Sequence, residues 1–367
     1  MIVIGAGIAG LALTRELYRG GIDARTIEKR EIASDSGLAI NLPGNAMAAL
    51  QQMGLRDAVA EIGYPTKRRE YRTEKGRLLF SVNETEFWGP DHQPRCILRS
   101  DLTRILRHDL PGYLFEFGRE VSAVRQEKQL VTLSFADGSK RTTDRLVGAD
   151  GVNSTVRAKV FEQASQASLL SRFSWRFMAD NPGIDCWTLW AGPTSMLLLI
   201  PISNERVYVW ATVSNRYIND DPTEFPIKYF EIFPSIARSI IDRVAVEPYQ
   251  LHYSPLQEVR MQKWFNGQTL LIGDAAHGMA PVWAQGAALG IEDAVELANL
   301  LSRKLNWHDT LQQFEAQRRP RIEHVFRMTD KMSKAAQLPP VVRKFLLPVV
   351  GRRTYATTYK PLMAGTN

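Results

Sequence analysis

Glycines at positions 5, 7 and 10 constrain this chain more than any other feature, because they stand between an apolar run and a helical pattern. Ile2-Val3-Ile4 is a short, wholly apolar stretch of the kind that becomes a buried parallel strand. Gly5-Ala6-Gly7-Ile8-Ala9-Gly10 follows, and Leu11, Leu13, Leu17 and Tyr18 then recur at helical spacing as far as Gly20-Gly21. Residues 24–27 read as a second strand, with Glu28 at its carboxyl end. In such a unit Gly5 permits a tight turn, Gly7 lets the backbone approach a pyrophosphate, and Gly10 lets the helix close on the strand. The helix N-terminus offers free N–H groups and about half a positive charge to an anion. Glu28, followed by Lys29 and Arg30, is placed to accept from a ribose hydroxyl pair, which disfavours a 2′-phosphate. The unit reads as a dinucleotide site and by itself leaves FAD and NAD both open.

The rest of the composition narrows the class. The 367 residues give room for about two domains, and a 44% hydrophobic and 23% charged make-up is ordinary for a globular chain. The two cysteines, Cys96 and Cys186, form no CxxC pair, which argues against a disulfide framework and a zinc site. No metal site is expected. The formal charge of +7 is scattered, densest at Lys67-Arg68-Arg69 and Arg318-Arg319-Pro320-Arg321, and reads as a solvated face rather than a nucleic-acid surface. No apolar run reaches the roughly 18 to 20 residues of a membrane span. The glycines interrupt the apolar start, no basic segment precedes it, and a cytoplasmic location is expected.

Along the chain, residues 44–60 look helical, with Gly54 near the end. Residues 66–90 turn strand-like around Glu74-Lys75-Gly76. Ser100 or Asp101 is suited to cap a helix carrying Leu102, Ile105, Leu106 and Leu110, ended by Pro111-Gly112. Residues 115–135 alternate as strands, and Asp137-Gly138 signals a hairpin turn. Strand runs at 187–190, 196–200 and 207–212 suggest an antiparallel sheet, followed by a helical stretch around 226–243 interrupted by Pro234. A buried strand at 269–272, a helix at 286–301 and a long polar helix at 310–336 complete the pattern. The fold class expected is α/β: a Rossmann-type nucleotide domain over 1–65, 96–165 and 261–335, interleaved with an antiparallel-sheet substrate domain over 66–95 and 166–260. Residues 336–367 form a C-terminal helical tail. Its Val341, Val342, Phe345, Leu346 and Val349 stand beside Arg343, Lys344, Arg352 and Arg353, and the tail is expected to fold back on the core rather than meet a membrane or a partner subunit.

Two later segments add chemistry. An apolar strand feeds Gly148-Ala149-Asp150-Gly151, and Arg157 lies a turn further on. Leu271-Ile272 runs into Gly273-Asp274-Ala275-Ala276-His277, so the backbone can pass close to a ligand while Asp274 accepts from a hydroxyl. Gln285-Gly286-Ala287-Ala288 then starts a helix with small residues, leaving its N–H groups open to an anionic oxygen or a flavin pyrimidine edge. In that order, and with Pro281 and Glu292-Asp293-Ala294 in place, the segments resemble the DG and GD motifs of single-component (class A) FAD-dependent aromatic monooxygenases, the para-hydroxybenzoate hydroxylase-like family. The resemblance spans residues 1–330.

The resemblance implies FAD as resident cofactor, with contacts from Gly5 to Gly10, Glu28 to Arg30, Arg99, Asp150, Gly151, Arg157, Gly273, Asp274, Pro281, Gly286, Ala287 and Ala288. It implies that Asp150 and Arg157 also serve a visiting NADH or NADPH, since no second glycine motif exists for it. It implies hydroxylation of a small aromatic or heteroaromatic substrate with O2 through an FAD C4a-hydroperoxide. His277 reads as a packing histidine. Ala284 departs from the family pattern, which more often has glycine before Gln285-Gly286. Trp175, Trp187, Trp190, Tyr208 and Trp210 make a candidate roof for a flat substrate, and Arg206 and Tyr208 are the candidate polar or catalytic contacts. No catalytic base and no carboxylate-binding arginine pair can be assigned from the sequence. A halogenase or reductase on the same fold, and a flavin-binding protein that sequesters a ligand without turnover, are the rival readings, although the WxWxIP element of a halogenase is missing. A monomer or homodimer is expected.

Overall fold

In the computed structural model the Ile2–Ile4 strand lies in a six-stranded sheet, with Leu146–Gly148 on one side and Arg25–Ile27 on the other, both parallel to it. The structure describes residues 1–31, 37–161, 167–214, 221, 223–246, 251–336, 338 and 340–363. Thr269–Leu271 extends the sheet in parallel beside Leu146–Gly148. Phe115–Glu116 closes one edge and Phe265–Asn266 adds a short antiparallel strand at the other. Ile2, Val3, Ile4, Val147, Leu270 and Leu271 are all buried, as uninterrupted apolar runs require of strands covered on both faces. The register decides where the loops emerge. Ile4 pairs with Gly148, and Gly148 with Leu271. The loops that begin at Gly5, Ala149 and Ile272 therefore leave the sheet side by side, at the carboxyl edge where open α/β sheets bind ligands.

A seven-stranded sheet stands across from that edge, taking its strands from 68–83 and 174–253. Its order is His252–Tyr253, Ser174–Asp180, Arg206–Val213, Ser195–Pro201, Trp187–Ala191, Arg68–Thr73 and Leu78–Asn83. The pairing is antiparallel except between Trp187–Ala191 and Arg68–Thr73, where two distant stretches of chain meet in parallel. Alternation along the strands divides the two faces. Trp175, Phe177, Trp190, Leu197, Val207 and Val209 turn to one side and pack with Phe230, Phe233 and Ile240. Met178, Trp187, Leu198, Ile200 and Tyr208 turn to the other, against Ala39, Cys96 and Leu98.

Several sequence readings change. Residues 44–60 form two helices, Gly44–Gln52 and Arg56–Ile62, because Gly54 takes φ +72° between them and breaks the first. The helix expected to start at Ser100 or Asp101 begins at Arg99 and ends at Arg107, short of Leu110. Its N-cap, Leu98, supplies no side-chain acceptor, and Asp101 instead pairs with Arg104 one turn on. Pro234 does not interrupt a helix but precedes one, Ser235–Val246. Pro320 sits inside the Trp307–Ala336 helix.

The C-terminal helix, Pro340–Met363, is split in character. Its second half folds onto the core, with Tyr355, Tyr359 and Leu362 buried, while Val341, Phe345 and Val349 in its first half are exposed. Tyr355 donates to Glu84 Oε2 at 2.6 Å, and Tyr359 donates to the carbonyl of Trp283 at 2.7 Å. Between them lies the buried Arg69–Glu84 ion pair, the guanidinium stacked over Trp187, Tyr355 and Tyr359. Among the described residues no helix is long and apolar enough to cross a membrane.

Candidate functional site

The three glycines of the first turn do two different jobs. Gly5 has φ +103°, and a Cβ there would lie 2.5 Å from the carbonyl oxygen of Ala149. A Cβ on Gly10 would lie 1.9 Å from the carbonyl oxygen of Gly5. A Cβ on Gly7 would meet nothing within 4 Å. Gly5 and Gly10 are thus demanded by the protein's own packing, whereas Gly7 borders open space. Gly7 is also the N-cap of the Ile8–Arg19 helix and brings no side-chain acceptor to it, so the first-turn N–H groups face the cleft without a cap. Ile8 and Gly10 are buried, and Ala9 packs against Gly273 and Gly290, fastening this helix to the third loop. Glu28 accepts from the backbone N–H of Ala6 at 2.8 Å and of Arg30 at 3.1 Å. Its carboxylate has further lone pairs for a hydroxyl pair. Lys29 and Arg30 are exposed beside it.

The second and third loops are held from behind. Asp150 accepts from Ser154 Oγ at 2.5 Å and from the N–H of Val156 at 3.1 Å. Burial pushes its carboxyl above the ordinary value, with those bonds opposing. Gly151 takes φ +82° next to it. The Arg157 guanidinium donates to the carbonyls of Val152 and Ala275, so it ties the second loop to the third. Both terminal nitrogens of Arg157 thus already hold protein carbonyls, one bond each.

Gly273 has φ +57°, and its N–H donates to Asp293 at 2.9 Å. Asp293 is the hub of a buried set. His277 Nε2 lies 2.7 Å from it, and Arg318 donates to it at 2.7 Å. Burial opposes its ionisation, but His277 and Arg318 override that and hold its carboxyl at about 2. Asn45 and Gln285 exchange two bonds at 2.9 and 3.0 Å, and Asn45 also donates to Glu292. This network fixes the start of the Gln285–Ser302 helix, which has no side-chain cap. Gly286 and Ala287 are half-buried there, while Ala288 is buried and faces the core. Pro281 opens the short turn before the helix, and Asp274 is exposed, its Oδ1 standing 3.3 Å from where a Gly286 Cβ would be. Ala284 has φ 54° and ψ 33°, the left-handed region in which glycine is at ease. The alanine thus sits in a backbone conformation that would cost a glycine no strain.

The wall opposite carries the polar groups that face these loops. Arg99 reaches solvent inside a cleft crowded enough that burial depresses its ionisation, with Asp274 opposing and Arg176 and Arg30 reinforcing the drop. Burial pushes the Tyr208 phenol up, offset by Arg176 and Arg99. His252 is pushed down by burial, Arg176 and Arg99. Arg99, Arg176, Tyr208 and His252 therefore lie within electrostatic reach of one another, and Asp274 within reach of Arg99. Arg206 does not join them. It is exposed at the first position of its strand, where its N–H donates to Ser203 Oγ. Trp175 and Trp190 belong to the far face of the sheet and cannot roof the cleft. Trp210, half-buried, donates to Ser174 at 3.0 Å on the near face.

Arg176 was missed by sequence reading. The signal was its place between Trp175 and Phe177, an arginine alternating with aromatics on a strand whose other face is core. No group of three or more His, Cys, Asp or Glu side chains arranged to hold a metal occurs among the described residues.

The donor set fits FAD: an unobstructed Gly7, uncapped helix starts after Gly7 and Ala284, and a carboxylate at the end of the second strand. Comparison with known proteins bears on the same point. Residues 1–329 match the FAD binding domain family. The chain is 28% identical over 341 residues to a putative FAD-dependent monooxygenase, YetM, of Bacillus subtilis, covering 90% of this chain and 92% of that protein. It is 30% identical over 336 residues to the 2-heptyl-3-hydroxy-4(1H)-quinolone synthase of Pseudomonas aeruginosa, covering 89% and 86%. Its fold superposes on Klebsiella pneumoniae HpxO, solved with FAD and uric acid, with a TM-score of 0.86 at 22% identity over 100% of this chain and 97% of that one.

Proposed function

The chain belongs to the FAD binding domain family and is an FAD-dependent monooxygenase, and on that premise we propose that it hydroxylates a small aromatic or heteroaromatic ring with NAD(P)H and O2 in the cytoplasm. The balance is one ring C–H, O2, NAD(P)H and a proton giving ring C–OH, NAD(P)⁺ and water. Bound FAD supplies the two-electron chemistry and the activation of O2. The protein's own residues supply the rest. The turn at Gly7 and the helix N-terminus receive the pyrophosphate, and Glu28 receives the ribose while bracing the turn through the N–H of Ala6. The helix start at Gly286 and Ala287 presents N–H groups and a positive dipole end to a group that gains negative charge on reduction. The apolar wall of Met178, Leu198 and Ile200 keeps water from the reacting ring.

One observation carries this reading: three loops emerge in register from adjacent parallel strands and face a second sheet whose near side offers Tyr208 and Trp210. A nicotinamide cofactor would be a visitor to the same domain, because the sequence carries no second glycine motif to hold it. Screening aromatic compounds for stimulated NAD(P)H oxidation, with hydroxylated product scored against peroxide, tests it. Anaerobic addition of NAD(P)H that fails to bleach the flavin with any aromatic compound present would sink the hydroxylase and leave a ligand-sequestering flavoprotein. Ala284 lends that rival no support, since it holds the backbone shape a glycine would take.

A further inference from the structure

Arg176 is half-buried on the near face of the seven-stranded sheet, and among the described residues it has no hydrogen bond or ion pair. Cross-strand pairing fixes its neighbours. It lies opposite Trp210 on one side and His252 on the other, and Met178, two residues on, lies opposite Tyr208. Residues directly opposite, and their diagonal neighbours two positions along, share one face of a sheet. Arg176, Tyr208, Trp210 and His252 therefore line one surface. Arg99 approaches the same space from the start of its helix, close enough that each of Arg176 and Arg99 disfavours protonation of His252. Asp274 is a carboxylate that acts on Arg99 there. Among the described residues neither the Tyr208 hydroxyl nor the Arg99 guanidinium has a side-chain hydrogen bond. Two like charges share that space and Asp274 is named against Arg99 alone, an arrangement that an added anion beside Arg176 would relieve.

We infer that Arg176 recognises an anionic group on the substrate, a carboxylate or an enolate borne by the aromatic ring, with Tyr208 as a neutral hydroxyl donor beside it and Trp210 against the ring. The guanidinium fork suits a carboxylate, which it can grip with two parallel N–H bonds. The inference deepens the hydroxylase reading by naming its substrate class, and it singles out rings charged at neutral pH over neutral quinolone or indole rings.

The test is binding to the FAD-loaded protein without NAD(P)H, read from the perturbation of the flavin absorbance. The probes are 4-hydroxybenzoate and 4-hydroxybenzamide, which match in shape and differ in charge. Wild type is expected to bind the carboxylate about tenfold to hundredfold more tightly than the amide, the range for a hydrogen-bonded charge pair. In Arg176→Gln that preference falls to within about threefold, through loss of carboxylate affinity, while amide affinity and FAD content stay at wild-type values. Arg176→Lys restores part of the preference. Equal binding of both probes by wild type overturns the inference, as does a preference that survives in Arg176→Gln, or FAD loss in that variant with the preference intact. The two readings fail separately. Hydroxylation of an anionic ring with the same KM by wild type and Arg176→Gln would remove this inference and leave the hydroxylase. Charge discrimination that vanishes in Arg176→Gln, with no ring hydroxylated, would do the reverse.

Discussion

Alanine at Gly7 and alanine at Gly10 should damage this protein in opposite ways, although the two substitutions sit three residues apart in one motif. At Gly10 the added carbon would fall 1.9 Å from the carbonyl oxygen of Gly5, and its next neighbours are the Gly5 carbonyl carbon at 3.0 Å and Ala149 Cβ at 3.4 Å. A carbon and a carbonyl oxygen touch at roughly 3.3 Å, so the helix would have to lift by more than about an ångström from the sheet. The obstructing atom is backbone and cannot swing aside. Overpacking of this kind costs about 3 kcal/mol. At Gly7 the carbon meets nothing within 4 Å, and φ is −76°, which any residue adopts. The small loss from replacing glycine at an N-cap and the small gain from a stiffer unfolded chain nearly cancel, leaving stability within about 0.5 kcal/mol of wild type. What the Gly7 methyl fills is the space a pyrophosphate would enter. Losing one N–H bond to a phosphate oxygen costs about 2 kcal/mol, or about thirtyfold in FAD affinity. Urea unfolding of the flavin-free protein measures the first quantity, and titration of apoprotein against flavin fluorescence measures the second. Wild-type FAD affinity in Gly7→Ala would refute the cradle, and an unchanged urea midpoint in Gly10→Ala would refute the packing argument.

Further outcomes follow from the same structure. Ala284→Gly relieves a left-handed alanine and should raise stability by about 0.5 kcal/mol after the added freedom of the unfolded glycine is subtracted, measured by urea unfolding; a loss of stability would count against strain there. Asp293 is held at about 2, below the 3.8 of an ordinary aspartate, so its contribution is fully present above about pH 4 and is lost as pH falls through about 2. Asp293→Asn should therefore cost about 3 kcal/mol or more at neutral pH, by leaving Arg318 buried and half-paired, and should flatten the fall in stability over that acid window in pH-resolved denaturation. Removing residues 338–367 strips Tyr355 from Glu84 and Tyr359 from the Trp283 carbonyl, so the truncated protein should lose flavin and solubility; unchanged retention of both would deny the tail a packing role. Cys96 and Cys186 are buried and their thiols are pushed up by that burial, so the native protein should react with a thiol reagent only at the rate at which it unfolds.

The nucleotide half of this fold was legible because its signals are local. An apolar triplet, a glycine turn and a helical repeat specify the strand, the turn and the helix within a few residues of one another, and Gly148-Ala149-Asp150 and Ile272-Gly273-Asp274 repeat that logic. Helix ends were less legible. Gly54 and Leu98 mark boundaries through backbone geometry and a missing cap, and neither shows in the periodicity of apolar residues. The aromatic segment was harder still. Trp175 and Trp187 look alike in sequence, yet strand alternation sends the first to the core beneath the Ser235–Val246 helix and the second toward the nucleotide domain.

Sequence alone pointed to a dinucleotide site, since the turn is tied within the first 30 residues, Gly5 to Ile27 and Ala6 to Glu28. Its motifs, taken together, pointed to FAD. Tertiary structure decided what each charged residue is free to do. Arg157 lies beside the second loop in the chain but also holds the carbonyls of Val152 and Ala275, the latter 118 positions away. Arg206 adjoins Tyr208 in sequence but stands in solvent at the strand's end. Arg176, which no motif marks, lies on the near face with no partner among the described residues because two cross-strand registers place it there. A side chain's freedom depends on partners that only the completed packing brings within reach, and no spacing along the chain encodes it.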